Sequence, residues 1–361
     1  MSFSALKRRT VAMKTRHVNI PVFIPHLGCP NDCVFCNQRI ISGVNEFSAE
    51  SVIPIIESSL STIDSDTDAE IAFFGGSFTG IDINLMENLL KIANSYLIQG
   101  RISSIRCSTR PDYINDEILD ILKHYGVTTV ELGIQSVSDK VLLASRRGHS
   151  FDSAREACLK IKSHDFKLGG QMMIGLPGAS IDDEVATAEF ISSVGADEAR
   201  IYPTIVFRGT ELCKMTESKK YVPITLDDAV VRSAKAFEVF IKAGVKVLRI
   251  GLCDSENLHS DSTYYAGPNH AAIGELVESE YYYGRIVKLL ADSNKENYSD
   301  LILNVAKGHT SRVIGQHKKN KIRLLQEHGI KTLKVVEKDE IIPYDVFLKA
   351  EERKQNVFKI T

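Results

Sequence analysis

Three cysteines crowd into the run Cys29-Pro-Asn-Asp-Cys33-Val-Phe35-Cys36, a C-x3-C-x2-C spacing with an aromatic residue directly before the last sulfur. Thiolates gathered on so tight a loop can bind three irons of a cubane cluster and leave the fourth iron without a protein ligand. Closed structural clusters and closed zinc sites normally use four protein ligands. Three ligands therefore point to an exogenous chelator at an open metal, which is a catalytic arrangement. A structural zinc and a disulfide are the other readings of the run. Cys33-x-x-Cys36 also has the spacing of a thioredoxin-type redox pair, but no second cysteine pair follows at zinc-ribbon distance.

Other chemistry-bearing stretches follow at intervals. Phe74-Gly75-Gly76-Ser77-Phe78-Thr79-Gly80 lets backbone groups approach a ligand closely, although a double glycine by itself is more often a turn. Cys107-Ser108-Thr109-Arg110-Pro111-Asp112, Glu131-Leu132-Gly133-Ile134-Gln135-Ser136 and Ser145-Arg146-Arg147-Gly148-His149 supply hydroxyl, amide and guanidinium groups. An arginine fork suits a carboxylate, while a solvated arginine pair is the bland reading. Gly170-Gln171-Met172-Met173-Ile174-Gly175-Leu176-Pro177-Gly178 offers apolar side chains that could flank a flat ring or simply fill the core. Tyr264-Tyr265-Ala266-Gly267-Pro268-Asn269-His270 forms a second dense polar cluster. Tyr265 or His270 could act there in acid–base or hydrogen-atom transfer, or could only pack. Cys107, Cys158, Cys213 and Cys253 read as buried small hydrophobes; of these, Cys253 is the one to watch, because a thiol near the site could donate a hydrogen atom.

These stretches need a frame that brings them together. Strands are expected at Val18–Leu27, Ile71–Phe74, Ser104–Ser108, Thr129–Gly133, Lys167–Ile174 and Glu198–Val206. Helices are expected between them, for instance on the face Met86, Leu89, Leu90, Ala93, Leu97 and from an Asn115 cap to Gly126. Strands alternating with helices imply parallel pairing through right-handed crossovers. The fold class is therefore α/β, a partial (β/α)6 TIM-type barrel with its site at the carboxyl ends of the strands. The motifs fall at those ends. Thr225–Ala243 is a further amphipathic helix, 260–284 is rich in Tyr and Gly and has no clear period, and a polar break spans Asp292–Asp300.

The expected organisation is a basic lead-in over 1–17, a barrel over 18–210, a barrel-closing extension over 211–292 and a small α/β module over 300–361. With 361 residues, 43% hydrophobic and 25% charged, the chain has ample core for this. A net charge of −2 removes any global electrostatic argument for nucleic acid but leaves room for a local basic patch. Seven cysteines, an odd number in a long chain, do not resemble a secreted disulfide framework. No apolar run approaches the roughly 18–20 residues of a membrane span, and Met1–Arg16 lacks a signal peptide's apolar stretch. The expectation is a reducing cytoplasm and no membrane partner.

From Val18 to Thr210 the chain resembles the radical S-adenosylmethionine (SAM) superfamily: cysteine run, double glycine after the second strand, and polar strand ends. Ser108–Asp112, Glu131–Ser136 with Arg147-Gly148-His149, and Tyr202-Pro-Thr-Ile-Val-Phe-Arg-Gly-Thr210 look like the catalytic subunit of Elongator. Cys29–Cys36, Gly133–Ser136 and Ile174–Gly178 are also similar to oxygen-independent coproporphyrinogen III oxidases. The resemblance implies a [4Fe-4S] cluster on Cys29, Cys33 and Cys36, and SAM held by Phe35, Gly75, Gly76, Ser77, Thr109, Gln135, Arg147, Met173 and Tyr202. It also implies a low-potential electron donor of flavodoxin or ferredoxin type, and a tRNA nucleoside as substrate. The chain departs from those families at Ser77, where Glu is common, and at Gln171, where the coproporphyrinogen oxidases carry Asp. After Lys214 nothing offers the length or acetyl-CoA loop of Elongator's acetyltransferase domain.

Leu301–Val336 reads strand, helix, glycine loop, helix, strand and looks like a KH-type RNA-binding module. Arg312, Gly315, Lys318, Lys319 and Lys321 would face RNA, although Lys318 stands where the second glycine of a G-x-x-G loop belongs. A small α/β cap with a solvated basic helix fits the same residues. Two other functions remain open at this level: a radical SAM enzyme acting on a small molecule such as a tetrapyrrole, and a non-catalytic RNA-binding protein with a structural cluster.

Overall fold

The computed structural model describes residues 16–24, 33–36, 47–64, 66–252, 262–292 and 300–350. Its centre is a seven-stranded parallel sheet of β1 (His17–Ile24), β2 (Asp68–Gly75), β3 (Ser104–Thr109), β4 (Val127–Gln135), β5 (Lys167–Ile174), β6 (Glu198–Pro203) and β8 (Lys246–Ile250). The spatial order follows the chain order, β1-β2-β3-β4-β5-β6-β8. Same-handed crossovers between successive parallel strands put the connecting helices on one face, so the sheet curls into a sector of a barrel. The helices are α1 (Val52–Leu60), α2 (Ile83–Ile98), α3 (Asp116–His124), α4 (Asp139–Ala144), α5 (Phe151–Ser163) and α6 (Ile181–Ser193). Each of α2, α3, α5 and α6 starts on a side-chain cap, from Asp82, Asn115, Ser150 and Ser180 respectively. Such a cap is worth about 1 kcal/mol.

The strands alternate in the sense a barrel requires. Ile20, Val22, Ile24, Ile71, Phe73, Ile105, Val130, Leu132, Ile134 and Ile201 are buried in one continuous core with the helices. The intervening residues include charges. Arg106, Glu131 and Arg200 meet across the lumen of the sheet, where Glu131 is 1% exposed. Glu131 accepts from Arg200 Nε (2.7 Å) and Nη2 (3.0 Å), from Arg106 Nη1 (2.9 Å) and from Gln171 Nε2 (2.9 Å). Arg106 also pairs with Glu70 and, at 3.0 Å, with Glu198. Burial alone would raise the Glu131 carboxyl, but the bonds from Arg200, Gln171 and Arg106 outweigh it and hold it below the ordinary value. Gly169, the register partner of Glu131 on β5, has to be glycine-sized because a Cβ there would lie 2.8 Å from Glu131 Cγ.

Beyond β6 the chain departs from the sequence expectation. The strand expected to run to Val206 stops at Pro203, and β7 (Val206–Phe207) pairs antiparallel with β9 (Tyr264–Ala266) in a separate ribbon. Thr204 makes the break, sending both its N–H (2.8 Å) and its hydroxyl (2.7 Å) to the Ile174 carbonyl. After α7 (Glu211–Glu217) and α8 (Leu226–Ala243), β8 extends the sheet from six strands to seven. The Tyr-rich stretch without clear period forms most of α9 (Ile273–Asp292), whose Tyr281, Tyr282 and Tyr283 are buried. β10 (Asp300–Ala306), α10 (Thr310–Ile314), α11 (Lys319–Glu327), β11 (Thr332–Lys338) and β12 (Val346–Ala350) complete the order, with β10 between β11 and β12. Leu301, Leu303, Val305, Val313 and Leu324 belong to the same core as the barrel. Among the described residues no helix is long and apolar enough to cross a membrane.

The lumen network gives the first testable expectation. Glu131→Gln keeps the volume but leaves the buried Arg200 uncompensated, so urea unfolding should show a loss of about 3–5 kcal/mol. A loss below about 1 kcal/mol would mean the guanidinium finds another partner and the network is not specified by Glu131.

Candidate functional site

The Cys33–Cys36 segment is gripped from two sides. The Val34 N–H donates to the Ser145 carbonyl at the end of α4 (3.2 Å), and the Val34 carbonyl accepts from the Leu212 N–H at the start of α7 (2.7 Å). The Cys36 N–H closes a turn onto the Cys33 carbonyl (3.0 Å). Val34, fully buried, sits in a small apolar cluster with Val206, Leu212, Cys213 and Tyr221, against which Phe35, Met215, Tyr265 and Ala266 also pack. Arg146, held at φ +51°, reaches Glu211 of α7 at 3.3 Å. The stretch Tyr202–Thr210 and the helix it leads into therefore form one jaw of the clamp, and the residues after α4 form the other.

The end of β4 delivers the polar groups. Arg147 donates from Nη2 to the Gly133 carbonyl (2.8 Å) and from Nη1 toward Cys33 Sγ (3.4 Å). Gln135 turns at φ +67°, which breaks the β4–β5 register beside it. Gly133 makes room for both side chains: a Cβ there would lie 3.0 Å from Gln135 Nε2 and 3.2 Å from Arg147 Nη2. Gln135 Oε1 and Arg147 Nε are buried and have no hydrogen-bond partner among the described residues. Buried polar atoms are seldom left so. A ligand with a hydroxyl or amine donor and a carboxylate would satisfy both, which fits SAM.

The remaining expected residues fall around this centre. Gly75 takes φ +111° with a would-be Cβ 2.2 Å from the Ile24 carbonyl, so the double glycine presses the end of β2 onto the end of β1. Ser77 is buried, and Thr109 shares a 2.6 Å hydroxyl contact with Thr79. Met173 and Tyr202 are register partners on β5 and β6 and are half-buried. Tyr265 lies beside the cysteine segment, with Arg208 stacked 5.2 Å from its ring. His270 sits apart at the start of α9, where its Nδ1 accepts from the Ala272 N–H (3.1 Å). Cys107, Cys158 and Cys213 are buried as expected. Burial pushes Cys158 up to about 12 and Cys107 well above the ordinary thiol range. Cys29 and Cys253 lie outside the described residues, among which no group of three metal-ligating side chains gathers.

Much of the basic face expected to meet RNA is neutralised within the protein. Arg312 pairs with Glu278, Lys319 with Asp227 at 3.1 Å, and Arg323 with Glu280 at 2.7 Å. Gly315 is buried against Asn320, while Lys318 is exposed and Lys321 half-exposed. Sequence reasoning missed Ser145, Leu212 and Glu211, whose contributions are main-chain or depend on tertiary contact. It also passed over the role of Arg106, Glu131 and Arg200, although opposite charges inside adjacent apolar strands were a readable signal.

His149 is the other unsatisfied group here. Among the described residues neither ring nitrogen has a side-chain or well-formed backbone partner, although the Ile134 backbone is near. Burial first, then the Arg147 and Arg110 charges, lower its pKa from 6.5 to about 4.

The Radical SAM superfamily model matches residues 23–191, and the Radical SAM C-terminal domain matches 196–283. Among curated proteins, the tRNA uridine(34) acetyltransferase of Methanocaldococcus infernus is 28% identical over 181 residues, 45% of this chain and 34% of that protein. An uncharacterized Methanocaldococcus jannaschii protein is 30% identical over 60% of this chain and 69% of its own length. Elongator complex protein 3 of Schizosaccharomyces pombe is 34% identical over 36% of this chain and 25% of that protein. The chain thus spans about a third of the first curated relatives it matches. Its fold is shared with the solved structure of the archaeal Methanocaldococcus infernus Elp3 lacking residues 1–46, at TM-score 0.60 and 21% identity, covering 76% of this chain and 63% of that one.

Folded His149 takes up its proton near pH 4 and unfolded histidine near 6.5, so acidification through that window favours the unfolded chain. The melting temperature should fall as pH drops from about 6.5 toward 4, and less steeply in His149→Gln. Equal slopes in the two proteins would remove this role from His149.

Proposed function

The chain belongs to the radical SAM superfamily of enzymes, and we propose that it binds a [4Fe-4S] cluster and SAM to modify a nucleoside in tRNA. Cys29, Cys33 and Cys36 would hold the cluster. Such a cluster, once reduced, would supply the electron that splits SAM into methionine and a hydrogen-abstracting 5'-deoxyadenosyl radical. The observation that carries this reading is the junction of Cys33 with Arg147 and Gln135, where a buried thiol adjoins two unsatisfied polar atoms.

The chain's own residues divide the work. Arg147, anchored on Gly133, presents Nε to a carboxylate, and Gln135 presents Oε1 to a donor. Gly75 and Gly76 let the ends of β1 and β2 close on a ligand without a side chain between them. Met173 and Tyr202 offer flat or flexible apolar surface toward the lumen at the strand ends, and Phe35 packs behind the cysteine segment. Below them Arg106, Glu131 and Arg200 form a buried ion network across the lumen. Tyr265, beside the cysteine segment, is the better placed of the two proposed proton or hydrogen-atom donors, because His270 spends Nδ1 on the α9 terminus.

The tRNA substrate rests on the likeness to tRNA uridine(34) acetyltransferases, of which the Methanocaldococcus infernus protein is matched over 45% of this chain and 34% of its own length. Lys318 and Lys321 are then the side chains left to meet phosphate near Gly315, in a protein of the cytoplasm served by a low-potential flavodoxin- or ferredoxin-type donor. Phosphate contacts of this kind weaken with salt.

Anaerobically reconstituted protein should convert SAM to 5'-deoxyadenosine when reduced, and Cys33→Ala should abolish this. Nucleoside mass spectrometry of tRNA from cells lacking the gene should show one modified nucleoside missing. An unchanged tRNA profile with SAM cleavage intact would assign the enzyme to a small-molecule substrate instead.

A further inference from the structure

We propose that Arg147 tunes the redox centre itself: its guanidinium donates a hydrogen bond to Cys33 Sγ and raises the reduction potential of the cluster that Cys33 would hold. The inference rests on the cluster assignment above and adds a role distinct from gripping a carboxylate. Nη1 stands 3.4 Å from Cys33 Sγ, within the reach of a sulfur hydrogen bond. Both groups are buried, Arg147 to 7% and Cys33 to 4% exposure. In such a low-dielectric setting a charged donor acts strongly on the sulfur it faces.

The direction of the effect follows from where the electron goes. Reduction adds one negative charge to the cluster and its thiolate ligands, and a permanently cationic donor stabilises that charge more than the oxidised state's. Hydrogen bonds to cluster sulfurs are among the levers that set such potentials. The geometry is also held in place. Nη2 is fixed on the Gly133 carbonyl (2.8 Å), the Arg147 N–H bonds to the Leu142 carbonyl (3.0 Å), and the Val34 N–H ties the cysteine segment to Ser145, two residues before Arg147. The sulfur and its donor are therefore carried by one rigid unit, while Nε remains for a second partner. Gly133 guards the arrangement, because a Cβ there would stand 3.2 Å from Nη2.

The test is a dithionite titration of the reconstituted protein without SAM, followed by electron paramagnetic resonance, one electron entering each cluster. Arg147→Met should shift the midpoint to more negative potential with iron and sulfide content unchanged. Gly133→Ala, which keeps the arginine but crowds it off its anchor, should shift it in the same direction, and it decides the matter if Arg147→Met does not hold iron. Midpoints equal to the parent's in cluster-loaded variants would overturn the inference and leave Arg147 a role toward SAM alone. A parent protein that takes up no iron would instead sink the cluster assignment, a separate failure.

Discussion

Two main-chain hydrogen bonds to a single buried residue hold the chemistry of this protein in place. Val34 offers its N–H to Ser145 and its carbonyl to Leu212, so the cysteine segment is fixed between the residues after α4 and the start of α7. Each bond is worth only about 1 kcal/mol net, but leaving either group unpaired in an apolar cluster would cost more. The clamp explains why sequence stretches far apart read as one pattern. Ser145 and Leu212, from the stretches after α4 and after Thr210, position the segment that carries Cys33 and Cys36.

The lumen obeys a different constraint. A barrel sector lined with apolar side chains would slide in register at little cost, whereas Glu131 requires Arg200, Arg106 and Gln171 at fixed heights on three other strands. Gly169 lies opposite because nothing larger fits. Buried ion networks are weak arguments for stability but good ones for a unique arrangement. Here the arrangement sets the heights of β4 and β5 at their carboxyl ends, where Gln135 and Met173 stand. The neutral balance extends to the C-terminal module, where Arg312 and Arg323 turn to the half-buried Glu278 and Glu280, and Lys319 makes an exposed pair with Asp227.

Most of this was legible in the residues. The six parallel strands, their helices and the placing of motifs at strand ends follow from alternation and capping. What escaped did so for physical reasons. β8 is a five-residue edge strand with exposed Lys246 and Arg249, too polar to read as barrel. α9 carries three consecutive tyrosines and Gly284, poor local helix formers that succeed because Tyr281 and Tyr282 are buried against Phe237 and Tyr344, and Tyr283 under Arg323. The break after Pro203 depends on Thr204 finding a carbonyl on a neighbouring strand, a contact without local sequence signal. The basic face of the C-terminal module looked free because its acidic partners lie on other helices. Cys29 and Cys253, singled out from the sequence, lie outside the described residues.

The proposed function requires an iron open to SAM beside the Cys33–Arg147 junction. Electron paramagnetic resonance of the reduced, reconstituted protein with and without SAM examines that iron directly. The account predicts a [4Fe-4S]+ spectrum whose line shape changes on adding SAM, through coordination of its amino and carboxylate groups. A spectrum indifferent to SAM at saturating concentration, or a protein that binds zinc and no cluster, would contradict it.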